Sequence, residues 1–270
     1  MTADFVAKVE RPNTVSSLTA ELGQLGVKPA MTLMVHTSLS ALGFVAGGPV
    51  AVVQALLDTL GPEGTLAMPT HSADLSDPAN WHNPPVPEAW WPTLRAETPA
   101  YDPRYTPTWK MGAVADVFRA WPGTLRSAHP SVSFSARGPQ AQRLTSTHEL
   151  DFALGEGSPL ARLYDLDGWV LLLGVGHERN TSFHLAEYRA AIRPPVTEGA
   201  PVLEAGRRVW REMRELQLDD ESFAEIGAEF DASSGVIVGH VGAATARLFR
   251  QRPAVDFAVS WLRRNSRTGA

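Results

Sequence analysis

The sequence predicts an α/β fold, and three observations carry that expectation. Residues 31–68 run strand, helix, strand: Met31 to Val35, Pro49 to Leu60 and Thr65 to Met68. Trp169 to Leu173 is a short continuous apolar run, as a strand buried on both faces requires, and a glycine turn and a helix follow it. No repeat, low-complexity tract or clean linker divides the 270 residues, so one domain is expected over 1–270, with its core at about 14–265. Strand–helix–strand order implies a parallel pair with a right-handed crossover. The loop at 36–48 then sits at the carboxyl end of a strand, the edge where open α/β sheets place ligands.

The elements follow in order. Thr14 to Leu25 reads as a helix, with Leu18, Leu22 and Leu25 on one face and Gly26 after its end. The helix from Pro49 has proline in its first turn, and Gly61-Pro62-Glu63-Gly64 turns the chain into the second strand. Pro69 to Met111 holds nine prolines and four tryptophans, Trp81, Trp90, Trp91 and Trp109. That proline density excludes long helices and central strands, and the aromatics argue for an ordered loop. Gly112 to Trp121 reads as a helix, Ser131 to Ala136 as an alternating strand, and Gln140 to Leu144 and Leu160 to Tyr164 as short helices. Arg193 to Arg211 suggests a hairpin. Asp219-Asp220-Glu221-Ser222 opens an acidic helix start, and Gly239 to Arg250 and Pro253 to Arg264 read as helices. A polar, frayed tail is expected after Asn265.

Composition excludes several classes. The 44% hydrophobic and 20% charged residues are those of a globular protein. The chain has no cysteine, which removes disulfides, thiolate nucleophiles and an acyl-cysteine intermediate together. Met1 to Asn13 is polar and lacks a signal-peptide core. No run approaches the roughly 18 apolar residues that span a bilayer, so a cytoplasmic protein without membrane contact is expected. A net charge of −5 argues against a nucleic-acid partner and suits a cationic ligand.

Walker-type phosphate loops and the Gly-x-Ser-x-Gly elbow are absent. His177-Glu178-Arg179-Asn180-Thr181 begins like a zinc-protease motif but lacks the second histidine, and the other histidines show no tight ligand spacing, so no metal is expected. The most informative stretch is Gly168 to Arg189. Gly174 and Gly176 turn the chain after the apolar strand, Asn180 or Thr181 caps a helix from Ser182 to Ala191, and Thr181, His184 and Glu187 fall at i, i+3 spacing on one stripe. A carboxylate one turn from an imidazole holds its orientation and supports its work as a base. The spacing alone also fits an ordinary surface pair. His36-Thr37-Ser38-Leu39-Ser40 offers hydroxyls and backbone N–H groups to a pyrophosphate or a peptide-like arm, and Arg126, Ser127, His129 and Ser133 suggest a second anion site. Asp74, Asp77, Glu97, Asp102, Asp219, Asp220, Glu221 and Glu225 are candidates to line a cleft for a polycation, or are solvated surface charges.

Taken together these segments resemble the aminoglycoside 3-N-acetyltransferase family, antibiotic acetyltransferases outside the GNAT fold. The likeness runs from about residue 15 to residue 250. It is carried by Val35 to Gly43, Gly64 to Thr70, Tyr101 to Thr108, Arg126 to Pro130, Leu171 to Gly176 and Asn180 to Glu187, in that order and spacing. The resemblance implies an α/β fold with a central mixed sheet flanked by helices, and acetyl transfer from acetyl-CoA to the 3-amino group of a 2-deoxystreptamine aminoglycoside. His184 matches the histidine of the family's Thr-x-x-His-x-Ala-Glu motif, which points to it as general base with Glu187 in support and Thr181 beside it. His36, Thr37, Ser38, Leu39 and Ser40 match the coenzyme A segment, with Met111, Ser127 and Ser133 as further cofactor contacts. Asp74, Asp102, Asp219 and Asp220 are the expected drug contacts. His177 falls where the family varies. Without cysteine, direct attack in a ternary complex is expected, by a monomer or homodimer; an acceptor amine other than an aminoglycoside stays open.

Overall fold

The computed structural model describes residues 6–82, 84–233 and 235–266. The last four residues of the expected polar tail and the first five of the polar N-terminus lie outside them. Side-chain alternation makes the central sheet a wall between two cores. On β1 (Thr32–Thr37), Leu33 and Val35 enter one core and Met34 the other. β2 (Thr65–Pro69) separates Leu66 and Met68 from Ala67, and β5 (Trp169–Leu173) separates Leu171 and Leu173 from Val170 and Leu172. Burial on both faces is why these strands read as apolar runs rather than alternating ones.

The first core is closed by α1 (Val15–Leu25), α2 (Gly48–Leu60) and, after α3 (Trp91–Glu97), which buries nothing, by α4 (Ala113–Arg119). The second is closed by α5 (Ala141–Thr145), α6 (Pro159–Asp165), α7 (Ser182–Ala190), α8 (Phe223–Asp231) and α9 (Gln251–Asn265). In α1 the sequence pattern is met in full. Thr14 and Ser17 form a capping box, Gly26 ends the helix in the left-handed region at φ 112°, and Leu18, Leu22 and Leu25 are buried. The cap is worth about 1 kcal/mol, and each buried leucine about 2 kcal/mol.

The sheet has seven strands in the order β3 (Leu125–Arg126), β4 (Phe134–Arg137), β2, β1, β5, β9 (Ala244–Arg250), β8 (Ile237–Val241). β1 is parallel to both β2 and β5, and every other pairing is antiparallel, so the sheet is mixed. A separate hairpin, β6 (Pro195–Glu204) and β7 (Arg207–Leu216), turns through Ala205 and Gly206, both at positive φ. It props the proline-rich segment: Pro201 accepts from the Tyr101 backbone, and Arg208 Nε donates to the Thr98 carbonyl at 2.8 Å.

The expected helix from Gly239 to Arg250 is instead most of the β8–β9 hairpin. Ala244, Ala246 and Leu248 enter the first core and Phe249 the second, with Thr245 exposed near the strand start, the alternation of a strand between two layers, and β9 takes the open edge of β5 with Leu171 against Leu248. Pairing and burial overrode the helical propensity of the alanines. The expected hairpin at 193–211 runs on to Leu216. Among the described residues no helix is long and apolar enough to cross a membrane.

Candidate active site

Three parallel strands release their chains at the same sheet edge, and a cleft of about 740 Å³ opens there. That volume is within the range of small-molecule sites. Its walls are residues 36–40 at the end of β1 and just beyond, His71 after β2, Gly174 and Val175 after β5, and the start of α4. Thr181, His184, Asp220 and Phe223 close it from the side of α7 and α8. Gly174 sits at φ 72°, and a Cβ there would stand 2.4 Å from the Ala41 Cβ. Only glycine lets the end of β5 pass so near the turn after β1.

His184 Nδ1 meets Glu187 Oε2 at 2.7 Å across one helical turn. Glu187 has no solvent exposure. Its other oxygen accepts from Arg193 Nε at 2.8 Å and from the Asp219 backbone N–H at 3.0 Å. A buried carboxylate persists only when its charge is answered in this way. With Nδ1 engaged, Nε2 is the nitrogen His184 leaves to the cleft. The ring is steadied by Phe223, 4.8 Å away between centroids.

The helix start shapes the site as well. Asn180 Oδ1 accepts from the Ser182 backbone N–H at 3.2 Å, whereas Thr181 makes no capping bond. The cap role thus falls to Asn180, and the Thr181 hydroxyl faces His36 Nε2 at 3.5 Å. Burial, with the nearby His177 ring, holds His36 down at about 3, so it is neutral at ordinary pH. His71 is likewise held at about 3 by burial and then by the neighbouring His184, and its Nε2 has no partner. Lys110 and Arg179 add two cations to the lining, and Glu178 and Asp220 two anions. Ser38 and Ser40, hydrogen-bonded at 3.0 Å, complete a donor-rich wall suited to a phosphate-bearing cofactor. Among the described residues no group of three or more His, Asp or Glu could hold a metal ion.

Of the sequence-predicted residues, His36, Thr37, Ser38, Leu39, Ser40, Met111, Thr181, His184 and Asp220 line the cleft, and Glu187 lies directly beneath it. Ser127 and Ser133 lie outside the lining. Ser127 Oγ accepts from the Phe134 N–H at 2.9 Å and pairs with His148 Nδ1, and Ser133 Oγ donates to the Thr70 carbonyl at 2.8 Å. Both tie β4 to its neighbours. Asp102 is buried against Arg104 at 2.7 Å, Asp219 is held by Arg193 at 3.1 Å, and Asp74 sits on a short turn; none lines the cleft. Among the charged and aromatic lining residues, His71, Lys110, Glu178, Arg179 and Phe223 were not named as contacts from the sequence. His71 comes two residues after β2 and His36 is the last residue but one of β1, and that shared position near a strand end was a usable signal. Lys110, Arg179 and Phe223 carried none.

Comparison with known proteins bears on this geometry. A family model described as aminoglycoside 3-N-acetyltransferase matches residues 34–263. The SPbeta prophage-derived aminoglycoside N(3')-acetyltransferase-like protein YokD of Bacillus subtilis (strain 168) is 48% identical, over 94% of each chain. Its crystal structure superposes with a TM-score of 0.98, at 45% identity and full coverage of both chains. Aminoglycoside N(3)-acetyltransferase IX of Micromonospora chalcea is 38% identical over 93% of this chain and 94% of its own. The structure of AAC-IIIb in binary complex with CoASH matches at TM-score 0.84 and 33% identity, covering 94% of this chain and 98% of that one.

Proposed function

Since the chain belongs to the aminoglycoside 3-N-acetyltransferase family, we propose that it transfers the acetyl group of acetyl-CoA to the 3-amino group of a 2-deoxystreptamine aminoglycoside, by direct attack within a ternary complex. One observation carries the mechanism: an imidazole on the cleft wall whose Nδ1 is fixed by a fully buried carboxylate. The acceptor's ammonium must lose a proton before its nitrogen can attack a thioester carbonyl. His184 Nε2 takes that proton. The nitrogen then bonds to the carbonyl carbon, and the Thr181 hydroxyl donates to the oxyanion that develops. Collapse breaks the C–S bond and coenzyme A leaves as the thiolate, which takes the imidazolium's proton; the freed imidazole then accepts the second proton of the acylated nitrogen, giving the neutral amide, and releases it to solvent. No protein thiol intervenes, because the chain has none. The cofactor lies along residues 36–40, with Lys110 and Arg179 near enough to the cleft to face its phosphates. Acetylation removes a cation from the drug, so the activity confers resistance on its host.

The test is thiol release from acetyl-CoA with gentamicin, tobramycin, kanamycin, neomycin and apramycin offered in turn. A cysteine-free protein adds no background to a thiol reagent. Release with at least one drug is expected. Binding of acetyl-CoA without release for any drug would overturn the aminoglycoside reading and leave another amine as acceptor.

A further inference from the structure

Two hydrogen-bonding groups of the cleft, 145 residues apart in the chain, face one another across its floor. His36, near the end of β1, stands opposite Leu172 of β5, just before the Gly174 turn. The chain runs from that turn toward α7, and Thr181 at the helix start comes back over His36, its Oγ 3.5 Å from Nε2. Both residues line the cleft that His184 also lines. His36 is buried and its backbone is held in the sheet, while Thr181 is partly exposed.

Thr181 is free of the usual work of a residue at a helix start. It makes no capping bond, because Asn180 Oδ1 takes the Ser182 N–H. Among the described residues His36 Nε2 is the one partner of its hydroxyl. A hydroxyl carries a single hydrogen, and a neutral imidazole has one N–H and one lone-pair nitrogen. The two groups can therefore meet in two ways. If Thr181 donates to Nε2, its hydrogen is spent and only lone pairs face the cleft. If Nε2–H donates to Oγ, the hydroxyl hydrogen is free to turn into the cleft. Only the second arrangement offers an oxyanion a donor. A hydroxyl that accepts one hydrogen bond is also polarised to give a stronger one. Burial keeps the ring neutral, so this donor adds no charge to a cleft that must admit a cationic acceptor.

We propose that His36 is a positioning residue for acyl transfer: its Nε2–H donates to Thr181 Oγ and so directs the hydroxyl hydrogen at the carbonyl oxygen of the bound thioester. The inference deepens the reaction proposed above and rests on it. As the acceptor nitrogen bonds to the carbonyl carbon, the π pair moves onto oxygen, and the hydroxyl stabilises it without giving up its proton. The pair returns as the C–S bond breaks. His36 neither gains nor loses a proton in the cycle, whereas His184 does both. A contact of 3.5 Å is long, and contacts of this kind often tighten once substrate is bound.

The experiment is steady-state kinetics of the full chain with acetyl-CoA and kanamycin, comparing wild type with His36→Phe, His36→Gln, Thr181→Val and the double variant of His36→Phe and Thr181→Val. His36→Phe fills the site without an N–H, and kcat is expected to fall about tenfold, the size of one net hydrogen bond. His36→Gln keeps an N–H at the end of the side chain and should recover most of that loss. In the Thr181→Val background, His36→Phe should cost less than about twofold, because the hydroxyl it would orient is gone. A merely structural role would cost the same in both backgrounds. That result, or an unchanged kcat in folded His36→Phe, overturns the proposal. KM for acetyl-CoA reads the packing His36 gives the cofactor wall, so kcat carries the decision. Proton–nitrogen correlation spectra of the wild-type imidazoles, with the His36 ring assigned through its own backbone, need neither a variant nor turnover. If wild type releases no thiol with any aminoglycoside, the acceptor reading fails and these spectra decide. A proton on His36 Nε2 supports the assignment, and one on Nδ1 alone overturns it, since Thr181 then spends its hydrogen on the ring.

Discussion

A carboxylate without solvent access must have its charge answered by the protein, and Glu187 is answered by His184, Arg193 and the Asp219 N–H. Glu187→Ala leaves Arg193 Nε and that N–H without their acceptor, the guanidinium keeping only Asp219. It should cost about 3 kcal/mol or more in urea unfolding and lower turnover as well. A loss of turnover with unchanged stability would mean that the Arg193 contact contributes nothing to the fold. His184→Ala is expected to behave oppositely. Its ring is partly exposed, so stability should change little while kcat falls at least about a hundredfold and acetyl-CoA binding persists. Near-normal kcat in the folded variant would remove His184 from the chemistry. The His184–Glu187 pair was legible in the sequence because helical spacing alone puts those side chains together. Arg193 was not, since it lies beyond the helix end and reaches back to Glu187 only in the folded chain.

At the scale of elements, the junction between β5 and the turn after β1 is the tightest point of the site. Gly174→Ala adds a methyl 2.4 Å from the Ala41 Cβ and places alanine at φ 72°. The expected cost is about 2 kcal/mol, read as a lower urea midpoint, together with a higher KM for acetyl-CoA as residues 38–42 are displaced. Wild-type values for both would show that the turn yields freely. Elements with local punctuation were readable in advance. Thr14 and Gly26 bracket α1, and Gly168 and Gly174 bracket β5. Residues 239–250 were not, because an alanine-rich run next to an apolar patch satisfies both periods until a partner strand decides between them.

For the molecule as a whole, buried histidines set the response to acid. Burial holds His36 and His71 at about 3 and His129 at about 4, and pushes His148 and His177 downward too. The unfolded chain protonates these rings near 6.5. Between pH 6.5 and about 4 the unfolded state therefore binds protons that the folded state refuses. Stability falls as pH drops through that window, by up to about 1.4 kcal/mol per pH unit for each ring. The urea midpoint should be clearly lower at pH 5.5 than at pH 7.5; a flat midpoint would show that the folded protein accepts the protons.

The mixed sheet also dictates how the chain comes together in time. β1 and β2 are local, but β1 stays open along its other edge until β5 arrives, with Val35 meeting Leu171, and β5 in turn waits for β9. Contacts that distant in sequence close slowly. On the ribosome the N-terminal half must persist with an unpaired apolar strand until most of the chain has been synthesised, the condition under which nascent chains aggregate or recruit chaperones. His36 and His184 lie on opposite sides of that closure, so the cleft they line cannot form before β5 and the helix after it have joined β1.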